Sequence, residues 1–473
     1  MKRIIAIILA FSLLSGCATQ SINGAHFSPL PMPTPQEGEY TDNRAANVTL
    51  FFPGRDNTLE AEVREVTLSE GTTLPESALA ALIEGPESPS LRRALPEDVT
   101  ASLELSRNLV NVYFDSGFEE QEHADRLLSH IAVVNTLCAI DGIDYVSVFY
   151  NGSELGASSA PLGAMQSYSG DIGVLSLQLA GYASGNAEHR LFVPVYFVDA
   201  LGKYLLPEIR EITVTGGNYA AAIIEELKRG PISSGLLPSI DPDIALLSLT
   251  PLALNDDAKF VELSFGSMPG IIRPGGDSEA LAYAALAYSL SGIAAPRLRF
   301  ILGGNPVPRV GDIPLDNGFC TSKDFFEYLG NDITLYYPHA EFPSLITVRR
   351  AVHNSEARYF SVRMAQLMSG PSSVDSDAWP IFPGGVTSGD VLNFDISDDI
   401  LFINLSENFA ERCASMDHND EMLMVYSITN SMTGVRGINR VYFLVEGQPI
   451  ESIAGHLWYG RPFLRNPGLI YRQ

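Results

Sequence analysis

Positive charge is scarce in this chain of 473 residues. Lysine and arginine together number 30, against 56 aspartates and glutamates, which gives a formal net charge of -26 at pH 7. A protein that binds nucleic acid needs a basic patch to neutralise the phosphates. No long basic cluster interrupts the acidic sequence, so we predict that nucleic acid is not a partner.

Cysteine is also scarce, with four residues in the whole chain. Cys17 belongs to the N-terminal apolar stretch, and the other three are Cys138, Cys320 and Cys413. These three form no C-x-x-C pair, and an odd number cannot pair completely within one exported chain. Buried free thiols are the favoured interpretation. A bridge between Cys320 and Cys413 is the alternative that the sequence leaves open.

Beyond its N-terminus the chain has no apolar run of about 18 residues, the length needed to span a membrane. The N-terminus itself is a secretory signal, in which Lys2 and Arg3 precede a short apolar stretch at residues 4–14. It ends in Leu-Ser-Gly-Cys at residues 14–17, which resembles the bacterial lipobox. We therefore predict lipidation of Cys17 and a lipid anchor on the extracytoplasmic face of the cell membrane. The alternative is an ordinary signal peptide that contains a cysteine.

The remaining composition is that of packed domains. Hydrophobic residues make up 46% of the chain and aromatic residues 9%, which favours buried cores over disorder. At roughly 100–200 residues per domain, the length predicts about three domains. Residues 18–46 are polar and rich in proline, so we interpret them as a tether between lipid and domain.

One order of predicted elements occurs three times after the tether. Each copy has two β-rich runs, a helix that ends at Gly-Pro, two more strands, a longer helix and a last strand with a turn. Glycine tolerates the left-handed conformation that closes a helix, and proline cannot continue one, so Gly-Pro predicts a helix stop. The three pairs are Gly85-Pro86, Gly230-Pro231 and Gly370-Pro371.

Periodicity supports this order. Val110, Val112 and Phe114 alternate with polar or aromatic neighbours, as expected for a strand with one buried face. In the longer helix of the first copy, Leu127, Ile131 and Val134 form an apolar stripe. Cys138 continues that stripe, so we expect core packing rather than catalysis from this thiol.

We therefore predict an α+β fold of three tandem β-β-α-β-β-α-β domains, each a mixed sheet with two helices packed on one face. The predicted boundaries are 1–17 for the lipoprotein signal peptide, 18–46 for the tether, 47–156 for domain 1, 157–188 for a linker, 189–308 for domain 2, 309–331 for a second linker, 332–455 for domain 3 and 456–473 for a C-terminal tail.

The repeated pattern resembles the GerMN domain. The resemblance rests on the helix with Gly-Pro, the proline-bearing loop, the strand VNVYF, the long helix and the closing VYFLVEGQPI at residues 441–450. GerMN domains occur in lipoproteins of the spore germination protein GerM type from endospore-forming bacteria. The second copy departs from the pattern at APRLRFILGGNPV. The resemblance implies a non-enzymatic extracytoplasmic module in sporulation, spore germination or cell-envelope assembly, with no catalytic residue, cofactor or metal to carry over.

The residues themselves offer few metal candidates. The chain lacks G-x-S-x-G, a Cys/His signature and H-E-x-x-H. His123 and His130 are seven residues apart and could share a helix face, but no third ligand follows at a reliable spacing. The acidic stretches at 375–377 and 416–421 are further candidates, and we expect the second to decorate a helix N-terminus, where acids are favourable. We predict no metal site.

Two further motifs have structural interpretations. The stretch RPGGDSEA at 273–280 lacks the lysine of a phosphate-binding loop, so Asp277 or Ser278 is expected to cap a helix. Aromatic doublets in the opening strands are candidate contact residues, because neighbouring side chains of a strand face opposite ways and one ring could be exposed. Packing that covers both rings is the favoured alternative. The doublets are Phe51-Phe52, Tyr196-Phe197 and Tyr336-Tyr337.

Repetition of a scaffold without repetition of reactive groups favours binding over catalysis. We therefore expect a structural or interaction protein of the spore or cell envelope, attached to the membrane through lipid and binding envelope proteins or further copies of itself. The alternative is a ligand-binding lipoprotein that recognises a cell-wall fragment or a small solute, which a deep pocket would support. An envelope hydrolase would need a convergent carboxylate or Cys/His cluster.

Overall fold

The computed structural model describes residues 44–471, except for 57, 69–71, 116–122, 151, 153, 155–159, 186, 250–259, 272–277, 294–296, 436 and the side chains of 44, 123 and 124. The predicted signal peptide and the greater part of the tether lie outside these residues. The first strand begins at Arg44, inside the predicted tether. None of the helices in the described part is long and apolar enough to cross a membrane.

Three large clusters of buried hydrophobic side chains divide the described chain into three lobes. We call residues 44–183 the first lobe, 189–329 the second and 330–471 the third. The predicted α+β class is confirmed, since each lobe combines helices with small sheets.

The first lobe shows how local sequence sets these elements. Thr73 starts the first helix through a capping box with Glu76, and Pro75 lies in the first turn, where its missing N–H costs nothing. The elements of this lobe are β1 (Arg44–Pro53), β2 (Leu59–Leu68), α1 (Leu74–Glu84), β3 (Ala101–Ser106), β4 (Leu109–Phe114), α2 (His123–Cys138), β5 (Tyr145–Tyr150) and α3 (Ile172–Ala183).

The second lobe repeats the order of the first and adds several short strands. Its elements are β6 (His189–Asp199), β7 (Leu205–Val214), α4 (Tyr219–Arg229), β8 (Leu236–Leu237), β9 (Leu246–Leu249), β10 (Val261–Phe265), α5 (Ser278–Leu290), β11 (Leu298–Leu302), β12 (Asn305–Pro306), β13 (Arg309–Val310), β14 (Ile313–Pro314), β15 (Phe319–Cys320) and a 3-10 helix (Ser322–Tyr328).

The third lobe has the same order with one additional helix after its fourth strand. Its elements are β16 (Gly330–Pro338), β17 (Leu345–His353), α6 (Phe360–Met368), β18 (Val391–Ser397), β19 (Ile400–Leu405), α7 (Glu407–Cys413), α8 (His418–Met432), β20 (Arg440–Val445), β21 (Gln448–Pro449), β22 (Phe463–Leu464) and 3-10 turns at Asn354–Glu356, Ser388–Asp390 and Pro467–Leu469.

The strands of each lobe form at least two separate sheets, so the prediction of one mixed sheet with two helices on one face was wrong. In the first lobe β1 and β2 form an antiparallel hairpin of their own. A separate sheet contains β3 antiparallel to β4 and β4 parallel to β5. The long helix α2 contacts both β1 and β5 and therefore lies between the two sheets. Such a helix is covered on every side, and residues 127–137 of α2 are all buried.

The predicted linkers and tail are integral parts of the lobes. In each lobe the chain returns after the last parallel strand and pairs antiparallel with it, and a helical segment follows. Met165 bridges Val146 in the first lobe, β15 pairs with β11 in the second, and β22 pairs with β20 in the third. Glycine and polar residues are frequent in these closing segments, so the sequence predicted linkers and a tail there. Only a few apolar residues in them are buried, such as Leu179, Phe325 and Tyr459.

The turn between β3 and β4 joins the three lobes. Arg107 stands there with φ 57°, a left-handed conformation. Its Nε donates to Asp332 at 2.9 Å, its backbone N–H donates to Asn331, and its Nη1 donates to the carbonyl of Pro207. One side chain of the first lobe thus binds the opening strand of the third and the second strand of the second.

Candidate interaction surfaces

The three Gly-Pro pairs are helix stops, as predicted. Gly85 and Gly230 follow α1 and α4 directly, and Gly370 lies two residues beyond the end of α6. Their φ angles are 94°, 80° and 78°, in the region that favours glycine.

A buried arginine closes the Gly-Pro loop of the second lobe. The side chain of Arg210 is 5% exposed and donates from Nη2 to the carbonyl of Gly230 at 2.6 Å. It forms ion pairs with Glu208 at 2.6 Å and Glu226 at 3.6 Å. Glu208 in turn accepts two backbone N–H groups from the loop beyond the Gly-Pro pair. The arginine and its carboxylates therefore fix both sides of the helix stop.

The other lobes have counterparts of this arginine on the second strand of their hairpins. Arg64 donates to the carbonyls of Ala81 and Gly85 and pairs with Glu62, which accepts two N–H groups from the next loop. Arg350 pairs with Asp375 at 2.9 Å. Comparing V-R-E-V, I-R-E-I and R-R-A-V (residues 349–352) across the copies could have found this position, which the sequence analysis missed.

A second repeated contact ties the opening strand of each lobe to the long helix. In each case a hydroxyl of the helix accepts the N–H of the first residue of the aromatic doublet at 3.0 Å. The pairs are Phe51 with Thr136, Tyr196 with Ser289, and Tyr336 with Ser431.

Packing covers most rings of the doublets, which is the interpretation that the sequence favoured over one exposed ring in each. Phe52, Phe197 and Tyr337 are buried in the three cores. Tyr196 and Tyr336 are also buried, and Phe51 is half-buried. The first lobe covers Tyr196, where Asn111 donates to its hydroxyl at 3.1 Å, and the closing segment of the third lobe covers Tyr336 through Arg465.

The predicted metal candidates have structural roles where they are described. Asp375 pairs with Arg350, and Asp417 caps α8 by accepting the N–H of Asp420 at 2.9 Å, as expected. His130 is buried, and desolvation lowers its pKa to about 3. The side chain of His123 lies outside the described residues. Among those that are described, no group of three or more His, Cys, Asp or Glu side chains could hold a metal ion.

The three described cysteines are free, so Cys320 and Cys413 form no bridge. Desolvation raises the pKa of Cys138 to about 11 and that of Cys413 to about 12, and it raises the pKa of Cys320 as well. A thiol held protonated at neutral pH is a poor nucleophile. Of the other candidates, Ser278 begins α5, while Asp277 and Cys17 lie outside the described residues.

Three exposed aromatic side chains and the half-buried His339 lie close together on the surface of the third lobe. We call His339, Phe342, Trp379 and Tyr471 the aromatic patch. The rings of Phe342 and Tyr471 stack with centroids 5.4 Å apart, and both lie 4.8 Å from the ring of His339. Trp379 is 63% exposed, and its backbone N–H donates to Pro338, next to His339 in the chain.

The aromatic patch adjoins a shallow cavity of about 290 Å³. Pro380, Phe382 and Pro383 line it together with Trp379 and Arg412. In the first lobe, Arg92 makes the same backbone bond to Pro53 that Trp379 makes to Pro338. One scaffold position therefore presents arginine in the first lobe and tryptophan in the third.

A larger cavity of about 460 Å³ lies where the first lobe meets the second. Tyr113 and Phe149 come from the first lobe, and Gly292, Arg297 and Lys323 come from the second. The site combines aromatic walls with two cations and the carboxylate of Asp115.

Comparison with known families identifies parts of this chain. A model of the Germane family, described as sporulation and spore germination, matches residues 49–156 and 334–451. These two segments belong to the Germane family. They lie in the first and third lobes and end before the closing segments of those lobes.

Three solved structures are similar to parts of this chain, with low sequence identity and low TM-scores. The tandem GerMN domains of the sporulation protein GerM from Bacillus subtilis are 20% identical, with 55% of this chain and 92% of that chain covered and a TM-score of 0.22. The first GerMN domain of GerM is also 20% identical, over 26% of this chain and 95% of that chain, with a TM-score of 0.20. A candidate lipoprotein from Clostridium perfringens is 27% identical over 28% of this chain and 87% of that chain, with a TM-score of 0.20. None of the curated proteins matches the chain.

Proposed function

We propose that this protein is a lipid-anchored extracytoplasmic lipoprotein that acts as a structural and interaction module in sporulation, spore germination or cell-envelope assembly. The observation that carries the proposal is the pair of Germane segments, because the family is described by sporulation and spore germination. In this proposal the protein is not an enzyme and requires no cofactor or metal.

We further propose that the second lobe is a third, diverged Germane domain, so that the chain contains three tandem copies. Its order of helices and strands supports this assignment. So do Arg210 at its helix stop and Ser289 under its aromatic doublet, which correspond to contacts in the Germane segments. Both contacts depend on side chains at matching positions of the lobes, an arginine on the hairpin and a hydroxyl on the long helix. Two such matches are more readily explained by common descent of the lobes than by chance.

Recovery of partners from detergent-solubilised membranes of sporulating cells tests the interaction role. The full-length chain serves as bait, and the proposal expects reproducible recovery of envelope proteins or of further copies of this chain. Recovery of no protein, together with binding to purified peptidoglycan fragments, would contradict it and favour the second candidate function below.

The aromatic patch is the proposed docking surface for a protein partner. Exposed tryptophans are frequent hot spots, and truncating one typically costs 2 kcal/mol or more, which is roughly thirtyfold in affinity. We therefore expect Trp379→Ala to lower partner recovery by at least about tenfold. Trp458→Ala is the matched control, since Trp458 is 55% exposed outside the patch. Equal losses from both variants would argue against a specific patch.

Lipidation of Cys17 predicts the behaviour of two cysteine variants. Acyl chains hold a protein at a membrane by burying methylene groups, at about 0.8 kcal/mol each. We expect Cys17→Ala to lose incorporation of an alkyne-labelled fatty acid and to leave the membrane fraction. Cys138→Ala, which removes a free thiol elsewhere, should keep both label and fraction. Membrane retention of unlabelled Cys17→Ala would contradict the lipid anchor.

Ligand recognition is the second candidate function. The cavity between the first and second lobes favours it, because about 460 Å³ falls in the range of roughly 300–1,000 Å³ typical of small-molecule sites. A lipoprotein facing the cell wall would meet wall fragments and small solutes there.

A further inference from the structure

The interlobe cavity lies at the carboxyl ends of two parallel strands. Phe114 ends β4, Phe149 is near the end of β5, and both line the cavity. Ligands bind preferentially at this edge of parallel strands, where the connections diverge. The corresponding edge of the third lobe is closed, since Asn404 of β19 accepts the N–H of Gly447 and Glu446 accepts the N–H of Glu407.

The aromatic walls of the cavity are held in place. Tyr113 and Phe149 stack with ring centroids 5.2 Å apart. The hydroxyl of Tyr113 donates to Glu104 at 3.0 Å, which fixes its ring. Gly292 of the second lobe, with φ 83°, lies against the ring of Phe149. A Cβ at this position would lie 2.3 Å from that ring. Only glycine allows this approach, so the shape of the wall depends on it.

The polar groups of the cavity favour an anion. Lys323 places its Nζ 5.0 Å from the centroid of Tyr113, and Arg297 lies 4.8 Å from that of Phe319. The Oγ of Ser291 is buried and has no hydrogen-bond partner among the described residues. The carboxylate of Asp115 also lines the cavity, where it accepts a hydrogen bond from the hydroxyl of Thr100.

We propose that this cavity binds a carboxylated saccharide. The apolar C–H face of a sugar ring packs against aromatic side chains, and Tyr113 and Phe149 supply such a surface. Arg297 and Lys323 supply charge-assisted hydrogen bonds to a carboxylate. The hydroxyl of Ser291 supplies a buried partner for a sugar hydroxyl or amide. This inference rests on the second candidate function, ligand recognition, and is independent of partner recovery.

Two amino sugars that differ by one carboxylate test the proposal. N-acetylmuramic acid carries a lactyl carboxylate that N-acetylglucosamine lacks. Calorimetric titration of the purified full-length protein in detergent should show saturable binding of N-acetylmuramic acid. Binding of N-acetylglucosamine should be at least about tenfold weaker, since the charge-assisted bonds are missing. Equal affinity for both sugars, no binding of either, or equally tight binding of inorganic phosphate would overturn the assignment.

Charge variants locate the site. The double variant Arg297→Gln, Lys323→Gln should lose the preference for N-acetylmuramic acid while its circular dichroism stays unchanged. Arg190→Gln is the matched control, because Arg190 is 69% exposed on β6 and pairs only with Glu188 among the described residues. An unchanged preference in the folded double variant would sink the proposal. If the parent protein binds the sugar but recovers no partner protein from membranes, that result counts against the interaction role alone.

Discussion

Replacing Arg210 with alanine is expected to lower the free energy of unfolding by about 3–5 kcal/mol. The substitution removes the cation between Glu208 and Glu226, whose side chains are only 11% and 10% exposed. Glu226 keeps its ion pair with Arg229, so Glu208 is the carboxylate that loses its counter-ion. A buried carboxylate that loses its counter-ion costs much more than a lost surface ion pair. The carbonyl of Gly230 also loses its donor, so the end of α4 is weakened at the same time.

Urea denaturation followed by circular dichroism measures this loss. Arg190→Ala serves as the control from the same hairpin, since an exposed ion pair contributes about 0–1 kcal/mol. A loss below about 1 kcal/mol for Arg210→Ala would show that the ion pairs do not hold the helix stop. Glu208 has a pKa below its ordinary value, because hydrogen bonds from Ser233 and the neighbouring Arg210 outweigh the effect of burial. The cost of removing the arginine should therefore be larger at neutral pH than in acid.

Local signals in the sequence predicted the elements well. A Gly-Pro pair needs only its own φ preference and the missing N–H of proline to end a helix, so all three stops could be read directly. Alternation along β4 likewise predicted a strand. The prediction that only one of its faces is buried was wrong, because Asn111 on the other face is buried and donates to Tyr196 of the second lobe. Prediction of an acidic N-terminus for α8 succeeded for the same reason, since Asp417 directly precedes the helix and accepts the N–H of Asp420.

Arrangement of the elements could not be read in this way. A helix between two sheets is buried on every side. Its apolar stripe therefore does not show which face of the helix contacts which sheet. The closing segments depend on pairing with strands many residues earlier, such as Met165 with Val146. Their composition is that of linkers, so no local sequence signal showed that these segments pair with the sheets.

The interlobe cavity was equally inaccessible to sequence analysis. Its walls come from β4 and β5, while Arg297 and Lys323 come from the second lobe. No motif joins residues so distant in the chain, and only the contact between lobes brings them together. The repeated arginine is different, because alignment of the three copies would have shown it without any structure.

A buried glutamate of the first lobe predicts an unusual dependence of stability on pH. Glu154 is 4% exposed and accepts the backbone N–H groups of Leu162 and Gly163, at 2.6 and 2.9 Å, through one carboxylate oxygen. Its other oxygen has no hydrogen-bond partner among the described residues. Desolvation by burial outweighs these two hydrogen bonds and raises the pKa of Glu154 to about 8.

The direction of the effect follows from proton binding. The folded protein keeps a proton on Glu154 that the unfolded chain releases near its ordinary pKa of about 4.3. This contribution to stability is therefore complete below that pH and is lost as the pH rises through about 8. At about 1.4 kcal/mol per pKa unit, the loss amounts to roughly 4–5 kcal/mol at most.

Glu154→Gln should remove this dependence, because glutamine accepts the same N–H groups and cannot ionise. We expect the variant to match the parent protein at about pH 4 and below, and to exceed its stability increasingly as the pH rises to about 8. Unfolding by urea at a series of pH values measures the difference between the two proteins. Glu84→Gln is the control, since the Glu84 carboxylate is 76% exposed and its profile should run parallel to that of the parent. If Glu154→Gln also runs parallel, the glutamate is ionised in the folded state, and the closing segment of the first lobe is held by a charge rather than by a neutral acid.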